Sequence, residues 1–454
     1  MATTSPPFGP TAPALPTESW RDRLRVTRTG IYAVLFLLVG LWILVAAPRS
    51  FSGETVTTLT FGDGLPDVAV PTLAYAMAAG VLYLLGGIVA LLPSREARRA
   101  LTATKGKRER VAKTPLERLR NALLILGGIV IIPTVLIVAA AGQSTNVTVM
   151  LQVSLRLATP VALGALAGIW CERSGVVNIA VEGMMLTGAC FGFVTATFLA
   201  PQFPDQALWI GVLAAILSGG VMSLLHAWLS ITFKTDQIVS GTVINILAVG
   251  ITSFIRREVL FSSEAGRGTL QAAPIPILSE IPVVGDVLFS GRPIFYSMFI
   301  LLFATHIILF YTRWGLRTRA VGENPHAADT LGINVFRNRW TNVFIGGLIA
   351  GLAGAWFSLE TTGSFDDSMT SGRGFIALAA MIFGKWTPFG AFAGAVLFGF
   401  SDALGQRFQF LGVPIPPQFL QMVPYIITIV VLAGLVGKAT APKADGIPYD
   451  KEGE

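Results

Sequence analysis

The chain has 454 residues, of which 53% are hydrophobic and only 13% are charged, and its net charge is +7. This composition is typical of an integral membrane protein and excludes an ordinary soluble domain. The positive charge does not indicate nucleic-acid binding, because most Lys and Arg residues lie in short loops beside apolar runs, where they set membrane topology.

The first third of the chain combines a polar leader with three apolar runs of spanning length. Residues 1–29 are rich in Pro, Thr and Ala, and we expect them to form a disordered cytoplasmic leader. Residues 30–142 are interpreted as an N-terminal extension with three transmembrane helices, predicted at residues 30–47, 70–92 and 121–141. The strongly basic loop 93–120 is interpreted as a topology signal, with anionic-lipid contact as the alternative.

The remaining apolar runs predict a larger membrane domain and a short polar tail. Full spans are predicted at residues 149–169, 176–199, 209–231, 238–255, 293–311, 340–359 and 418–436. Residues 375–384 are only half a bilayer long, and Pro388 separates them from the apolar run 389–404, so together they predict a broken or re-entrant hairpin. The tail, residues 438–454, is polar.

The predicted fold class is therefore all-α, a polytopic integral membrane protein with about twelve membrane segments. Both termini are predicted to be cytoplasmic, because this orientation places about three quarters of the 33 Lys and Arg residues inside.

The most informative segment is the loop between the spans 293–311 and 340–359, here called the Arg-rich loop (residues 313–339). Its five arginines are Arg313, Arg317, Arg319, Arg337 and Arg339. Asn324 is a good N-cap, Pro325 suits a first helical position, and Gly332 is a natural stop. A helix of about two turns is marginal in water alone, so we expect it to pack against something. Ala327, Ala328 and Leu331 predict a small face that fits a groove in another protein.

Few polar side chains lie inside the predicted spans, where each is costly unless paired or hydrated. Asn178 and Glu182 are four residues apart and share a face if both are helical. They are interpreted either as bordering a substrate path at a discontinuous helix or, for Glu182, as pairing with Arg173. Gln237 and Asn245 could bind a neutral polar ligand, but interhelical hydrogen bonding is the alternative.

Other charged residues receive simpler interpretations. Arg156 lies early in its span and is interpreted as extending towards the lipid headgroups. An exterior turn is predicted to carry Glu360, Asp366, Asp367 and Arg373, either as a docking site for a binding protein or as a solvated loop.

Enzyme chemistry is not indicated. No Gly-Lys pair is followed by Ser or Thr, so no phosphate-binding loop of the GxxxxGK[ST] type is present. The three histidines are too scattered to predict a metal site, and no catalytic residue is assigned. We therefore expect no cofactor in this chain.

Three motifs carry a resemblance to the permease subunits of ABC importers in the ribose, branched-chain amino-acid and nucleoside branch, and most of all to nucleoside permeases. The first runs from Glu172 to Met185, the second is Gly322-Glu323-Asn324-Pro325 followed by Ala327, Ala328 and Gly332, and the third is residues 384–390. The resemblance covers residues 149–437, which it identifies as a permease domain.

The resemblance implies a function and a set of partners. It implies a permease subunit, not an enzyme, that carries a nucleoside or nucleobase across the plasma membrane. The Arg-rich loop would contact a cytoplasmic ATPase, and a second, paralogous permease and an exterior substrate-binding protein would complete the importer. A monosaccharide such as ribose is the alternative cargo, and an ion-coupled secondary transporter is the remaining alternative.

Overall fold

The computed structural model describes residues 28–62, 65–92, 115–260, 268–411, 422 and 440–451. The chain divides into two compact units. One comprises Met1–Gly53 and Leu73–Val135, and the other comprises Glu54–Thr72 and Leu136–Glu454.

Within the described ranges the protein is helical and has ten helices that are long and apolar enough to cross a membrane. These are Gly30–Ser50, Thr72–Leu91, Pro115–Ala139, Val147–Glu172, Val181–Leu199, Ala207–Thr232, Gln237–Leu260, Pro293–Tyr311, Val335–Thr362 and Pro388–Phe410. The predicted class of a polytopic helical membrane protein is confirmed. The predicted span 418–436, most of the leader and most of the basic loop 93–120 lie outside the described residues.

The described residues of the first unit form three helices: α1 (Arg28–Ser50), α2 (Thr72–Leu91) and α3 (Pro115–Ala139). Their apolar side chains pack closely where glycines lie at the contacts. The rings of Phe36 and Tyr83 meet edge to face with centroids 5.2 Å apart, and Tyr83 Oη donates to Gly127 O at 3.1 Å. Such contacts between small and aromatic residues hold helices together in lipid.

A small sheet belongs to the second unit. Strand β1 (Val56–Thr60) pairs antiparallel with β2 (Val68–Pro71) and parallel with β3 (Ser144–Asn146), in the order β2-β1-β3. The expectation that residue 70 begins a span is wrong by two residues, because the backbone of β2 pairs with β1 and α2 starts only at Thr72.

In the part of the second unit that the structure describes, ten further α-helices follow β3 along the chain. They are α4 (Val147–Glu172), α5 (Val181–Leu199), α6 (Ala207–Ala227), α7 (Gln237–Ile255), α8 (Pro293–Tyr311), α9 (Arg313–Glu323), α10 (Pro325–Thr330), α11 (Val335–Ala355), α12 (Arg373–Phe383) and α13 (Pro388–Phe410). Three of them continue into π-helical turns: α6 into Trp228–Thr232, α7 into Arg256–Leu260 and α11 into Trp356–Thr362.

Glycines let α11 lie very close to α5 and α6 in the core. A Cβ atom at Gly351 would lie 2.2 Å from Ala215 O, and one at Gly354 would lie 2.0 Å from Met185 O. A Cβ at Gly347 would lie 2.1 Å from Ser223 Oγ. Without a hydrophobic driving force between helices in lipid, this close backbone approach is what stabilises their contact.

The predicted hairpin near Pro388 is present as a short helix followed by a long one. Helix α12 has 11 residues and is therefore about 16 Å long, roughly half of the hydrocarbon layer. The turn after it has positive φ at Lys385 and Trp386, and Pro388 occupies the first turn of α13. The two helices pack against each other, as the hairpin interpretation requires.

Candidate functional site

The chain is not helical between α4 and α5, although the sequence predicted one continuous span from residue 176. Helix α4 ends at Glu172, a turn follows with Gly175 at a φ of +87°, and α5 starts at Val181. We call residues 173–180 the broken segment. In a membrane its backbone groups need partners from protein or water.

Side chains of α6 and α7 supply these partners. Gln237 Oε1 accepts from Val177 N at 2.7 Å, and His226 Nε2 lies 2.9 Å from Val177 O. Asn245 Nδ2 donates to Ile179 O at 3.0 Å, while its Oδ1 accepts from Gly183 N at 2.8 Å. Gln237 and Asn245 thus bond to the backbone of the broken segment and of α5, and their place in a substrate path stays a prediction. His226 was not among the predicted site residues, because in the sequence it is only a lone polar residue in an apolar run.

Asn178 and Glu182 do not share a helical face, so that expectation is wrong. Asn178 is fully buried in the broken segment, where Nδ2 lies 3.3 Å from Cys171 Sγ and Oδ1 has no hydrogen-bond partner. Glu182 is in the first turn of α5. Because α5 starts only at Val181, Asn178 lies before the helix, and the four-residue spacing does not place the two side chains on one face.

Glu182 connects α5 to the start of α12. Its Oε1 accepts from Thr370 Oγ1 at 2.6 Å and from Gly372 N at 2.8 Å, and its Oε2 accepts from Gly374 N at 2.6 Å. A carboxylate at the first N–H groups of a helix satisfies donors that have no intrahelical partner. The expected pairing of Glu182 with Arg173 is therefore replaced by this contact.

Arg173 instead brings the first and third motifs together. Its Nε donates to Trp386 O at 2.9 Å and its Nη2 to Lys385 O at 3.3 Å. Trp386 Nε1 in turn donates to Glu172 Oε2 at 2.5 Å. The guanidinium loses hydration in this setting, and burial lowers the pKa of Arg173.

The second motif lies against the same turn. A Cβ atom at Gly322 would lie only 2.3 Å from Arg173 O, so only glycine allows this approach. The predicted helix signals of the Arg-rich loop are confirmed: Asn324 Oδ1 caps α10 by accepting from Ala327 N at 3.1 Å, Pro325 opens it, and Gly332 follows with a φ of +78°. Three motifs that are far apart in sequence thus meet at one end of the unit.

The C-terminal tail, residues 440–451, packs against the Arg-rich loop. Ala444 N donates to Gly322 O at 2.9 Å, and Arg339 Nη1 donates to Ile447 O at 3.0 Å. Tyr449 is 3% exposed and its ring lies 5.1 Å from that of His326 and 5.4 Å from that of Phe336. The tail also forms an ion pair between Asp450 and Lys234.

This tail changes which face of α10 is available to a partner. Ala328 is 2% exposed and packs with Val321, Val335 and Tyr449, so it does not belong to an outward face. Ala327 is exposed and Leu331 is 81% exposed. Glu323 and Asn324 lie beside them and are also exposed.

Most of the charged residues that were predicted to lie in an exterior turn are paired. Arg256 donates to Asp366 at 2.7 Å and to Asp367 at 3.1 Å, and Arg373 lies 3.2 Å from Asp402. Glu360, which was expected in a solvated turn, is 3% exposed. Arg156 lines a cavity with Glu360.

Comparison with known proteins finds a matching family and several similar proteins. Residues 150–432 match the family described as branched-chain amino acid transport system / permease component. The chain is 42% identical over 311 residues to the guanosine ABC transporter permease protein NupQ of Bacillus subtilis, covering 67% of this chain and 97% of that protein. It is 41% identical over 303 residues to the nucleoside ABC transporter permease protein NupC of Lactococcus lactis, covering 64% and 94%.

A third relative is similar over the same region. The chain is 34% identical over 306 residues to the putative glucose ABC transporter permease protein TsgC13 of Haloferax volcanii, covering 63% of this chain and 90% of that protein. No solved structure matches the chain. The family match spans more than half of the chain and includes all three motifs, and the chain therefore belongs to the permease component family of branched-chain amino acid-type ABC transport systems.

Proposed function

We propose that this protein is the permease subunit of an ABC importer that carries a nucleoside or nucleobase across the plasma membrane. The observation that carries the proposal is the 42% identity to a guanosine permease over 97% of that protein's length. The amide groups of Asn178 and Gln237 at the broken segment support it, because each retains a buried atom without a partner, Oδ1 and Nε2. Neutral amide groups suit an uncharged polar solute.

The broken segment and the Arg-rich loop suggest how transport is coupled to ATP hydrolysis. The three motifs form one contact network. A displacement of α10 would therefore be transmitted through Gly322 to Arg173 and from there to Trp386. The broken segment is held by side-chain hydrogen bonds from α6 and α7, which can exchange partners more readily than an intact helix. Partner binding at the exposed Ala327 and Leu331 would thereby bias inward- and outward-open states.

Three partners complete the proposed importer. A separate ATPase binds α10 and holds the ATP, since this sequence has no phosphate-binding loop. The second permease subunit is a paralogue. The chain matches two permeases of the B. subtilis guanosine system, NupQ at 42% and NupP at 27% identity, and also both TsgC13 and TsgB13 of H. volcanii. A substrate-binding protein delivers the solute from outside, and both termini face the cytoplasm.

The test is uptake by cells that lack this gene. Loss of tritiated guanosine uptake in the deletion strain, restored by the wild-type gene, is the expected result. Uptake should stop when cellular ATP is depleted by arsenate, whereas an ion-coupled transporter would respond to a protonophore while ATP is maintained. Unchanged uptake of guanosine, adenosine and uridine in the deletion strain would contradict a nucleoside importer.

A monosaccharide is the second candidate substrate, because TsgC13 is named a putative glucose permease and is 34% identical to this chain. The same deletion strain distinguishes the two. Loss of tritiated glucose or ribose uptake, with nucleoside uptake intact, would favour the sugar.

A further inference from the structure

A cavity of about 210 Å³ lies within the second unit, away from the broken segment. Its lining includes three charged side chains, Arg156, Arg292 and Glu360, and two aromatic rings, Phe295 and Trp356. Apolar and aromatic walls with a few convergent polar groups are the usual composition of a small-molecule site. The chemistry of these five residues indicates what such a site would bind.

Arg156 is an unusual residue for its position. It lies nine residues into the spanning helix α4, about 14 Å along the axis, where a guanidinium is costly unless it is paired or hydrated. Its contact with Ser290 O is long, at 3.5 Å. A guanidinium carries five N–H donors, so most of them are available to water or a ligand in the cavity.

Glu360 provides the opposite charge without a direct ion pair to Arg156. Its Oε2 accepts from Ile294 N at 2.6 Å, at the start of α8, and the carboxylate interacts electrostatically with Arg292 and Arg156. A carboxylate has about four acceptor positions, so the helix start does not exhaust its capacity. The π-helical turn that carries Trp356 and Glu360 directs both towards the cavity, and such turns are frequent at functional sites.

The lining therefore specifies a ligand with three properties. Two guanidinium groups donate and require acceptor atoms, the carboxyl oxygens of Glu360 accept from N–H donors, and the rings require a flat aromatic body. Guanine has adjacent O6 and N7 acceptors, which suit a guanidinium, and N–H donors on its other edge. Adenine has an N6 donor beside N7, a pattern that suits Asn or Gln better than Arg.

We infer that this cavity is a substrate site that selects oxopurine bases, with Arg156 and Arg292 binding the carbonyl edge and Glu360 binding the N–H edge. The inference rests on the proposed nucleoside transport and adds a location and a base preference to it. Phe295 and Trp356 provide the apolar walls against which the ring lies. Arg292 precedes α8 and Glu360 follows α11, so both lie at the ends of these helices that are away from the Arg-rich loop. In the proposed orientation this is the side where the substrate arrives.

The test compares two nucleosides in cells whose chromosomal gene is replaced by a variant. Arg292→Gln removes a charged donor at a half-buried position outside every span, so membrane insertion is preserved. Glu360→Gln keeps an oxygen atom that can accept from Ile294 N, but it removes the carboxyl group that would accept from the ligand. For each, uptake of tritiated guanosine below saturation should fall about tenfold or more, with adenosine uptake changing less than about threefold.

A matched control is Glu280→Gln, the same chemical change at an exposed position outside the cavity, and it should leave both uptake rates unchanged. Rates are divided by variant abundance in the membrane, measured by immunoblot. Equal losses of guanosine and adenosine uptake, or no loss of either, would overturn the site and leave the proposed function intact. If wild-type cells take up neither nucleoside, both the proposed site and the proposed function are overturned.

Discussion

Individual amide and imidazole side chains provide hydrogen bonds to the backbone where the chain is not helical between α4 and α5. Asn245 makes two of these bonds, to Ile179 O and from Gly183 N. Leaving a buried backbone donor or acceptor unpaired costs about 1–3 kcal/mol, more than the bond itself contributes. The stability of the broken segment therefore depends on the few side chains that form hydrogen bonds with its backbone.

Asn245→Leu should destabilise the chain by about 2 kcal/mol, because Gly183 N and Ile179 O lose their partner. The measurement is the midpoint of thermal unfolding of the purified protein in mild detergent. Thr242→Ala on the same helix is the control, since Thr242 is exposed and bonds only to Ile238 O within α7. An Asn245→Leu midpoint equal to that of the wild type would show that the segment is held by other contacts.

Glu182→Gln should lower uptake about tenfold while abundance in the membrane stays normal. The amide of Gln keeps one acceptor oxygen but places an NH₂ group against a backbone donor, so the contact with Thr370, Gly372 and Gly374 is weakened. Tritiated guanosine uptake measures the effect, and Glu258→Gln at an exposed position is the control. Uptake at the wild-type rate would make Glu182 a structural residue without a part in transport.

At the scale of elements, α10 presents one face to the chain and the other to solvent. Leu331→Arg adds a charge to the outward face, so the ATPase should no longer co-purify, and the unfolding midpoint of the permease should stay unchanged. Ala328→Arg should instead lower the unfolding midpoint, because it places a charge among Val321, Val335 and Tyr449.

The control for this pair is Leu278→Arg, the same substitution on the segment between α7 and α8, which should leave ATPase binding intact. ATPase recovery is measured by affinity purification of the tagged permease in mild detergent. Full recovery with Leu331→Arg would remove α10 from the proposed ATPase interface.

The tail's contact with the Arg-rich loop should depend on pH through Asp445. Burial raises the pKa of Asp445 from its ordinary value of 3.8 to about 7, although hydrogen bonding with Glu172 and the charge of Arg339 act to lower it. The docked tail thus holds a proton that a free tail releases between about pH 4 and pH 7. Docking is favoured fully below this range and weakens as the pH rises through it.

Limited proteolysis of the purified protein measures tail docking. Cleavage within residues 440–451 should be faster at about pH 8 than at about pH 5.5. Asp445→Asn removes the titrating group, so its cleavage rate should differ less between the two pH values. The difference that remains in this variant measures the pH response of the protease itself. Equal cleavage of the wild-type chain at both pH values would contradict this pH dependence.

At the scale of the whole molecule, the proposed orientation places the Arg-rich loop inside and the segment between α7 and α8 outside. Leu331 and Ile277 are suitable reporters because they are 81% and 78% exposed. In a background without Cys171 and Cys190, both buried and free, Ile277→Cys should react with an impermeant maleimide in intact cells. In a strain without the ATPase that the proposal places on Leu331, Leu331→Cys should react only after the cells are opened. Labelling in intact cells would contradict the proposed orientation.

The sequence alone determined the class of the protein, most of its membrane helices and the position of α10. Apolar runs of spanning length and basic loops are local signals, since a bilayer imposes helix length and charge placement on each segment separately. The N-cap Asn324, Pro325 and Gly332 act within a few residues of the helix they delimit. The three motifs also identified the family without any knowledge of how they meet.

Only the tertiary structure decided the broken segment, the inward face of α10 and the cavity. Residues 176–180 are apolar enough to continue a helix, and their break depends on His226, Gln237 and Asn245, which come from 46 or more residues away in the chain by the sequence numbering. Ala328 faces inward because Tyr449 packs on it. Such outcomes depend on contacts between distant residues, and periodicity and spacing within one segment carry no information about them.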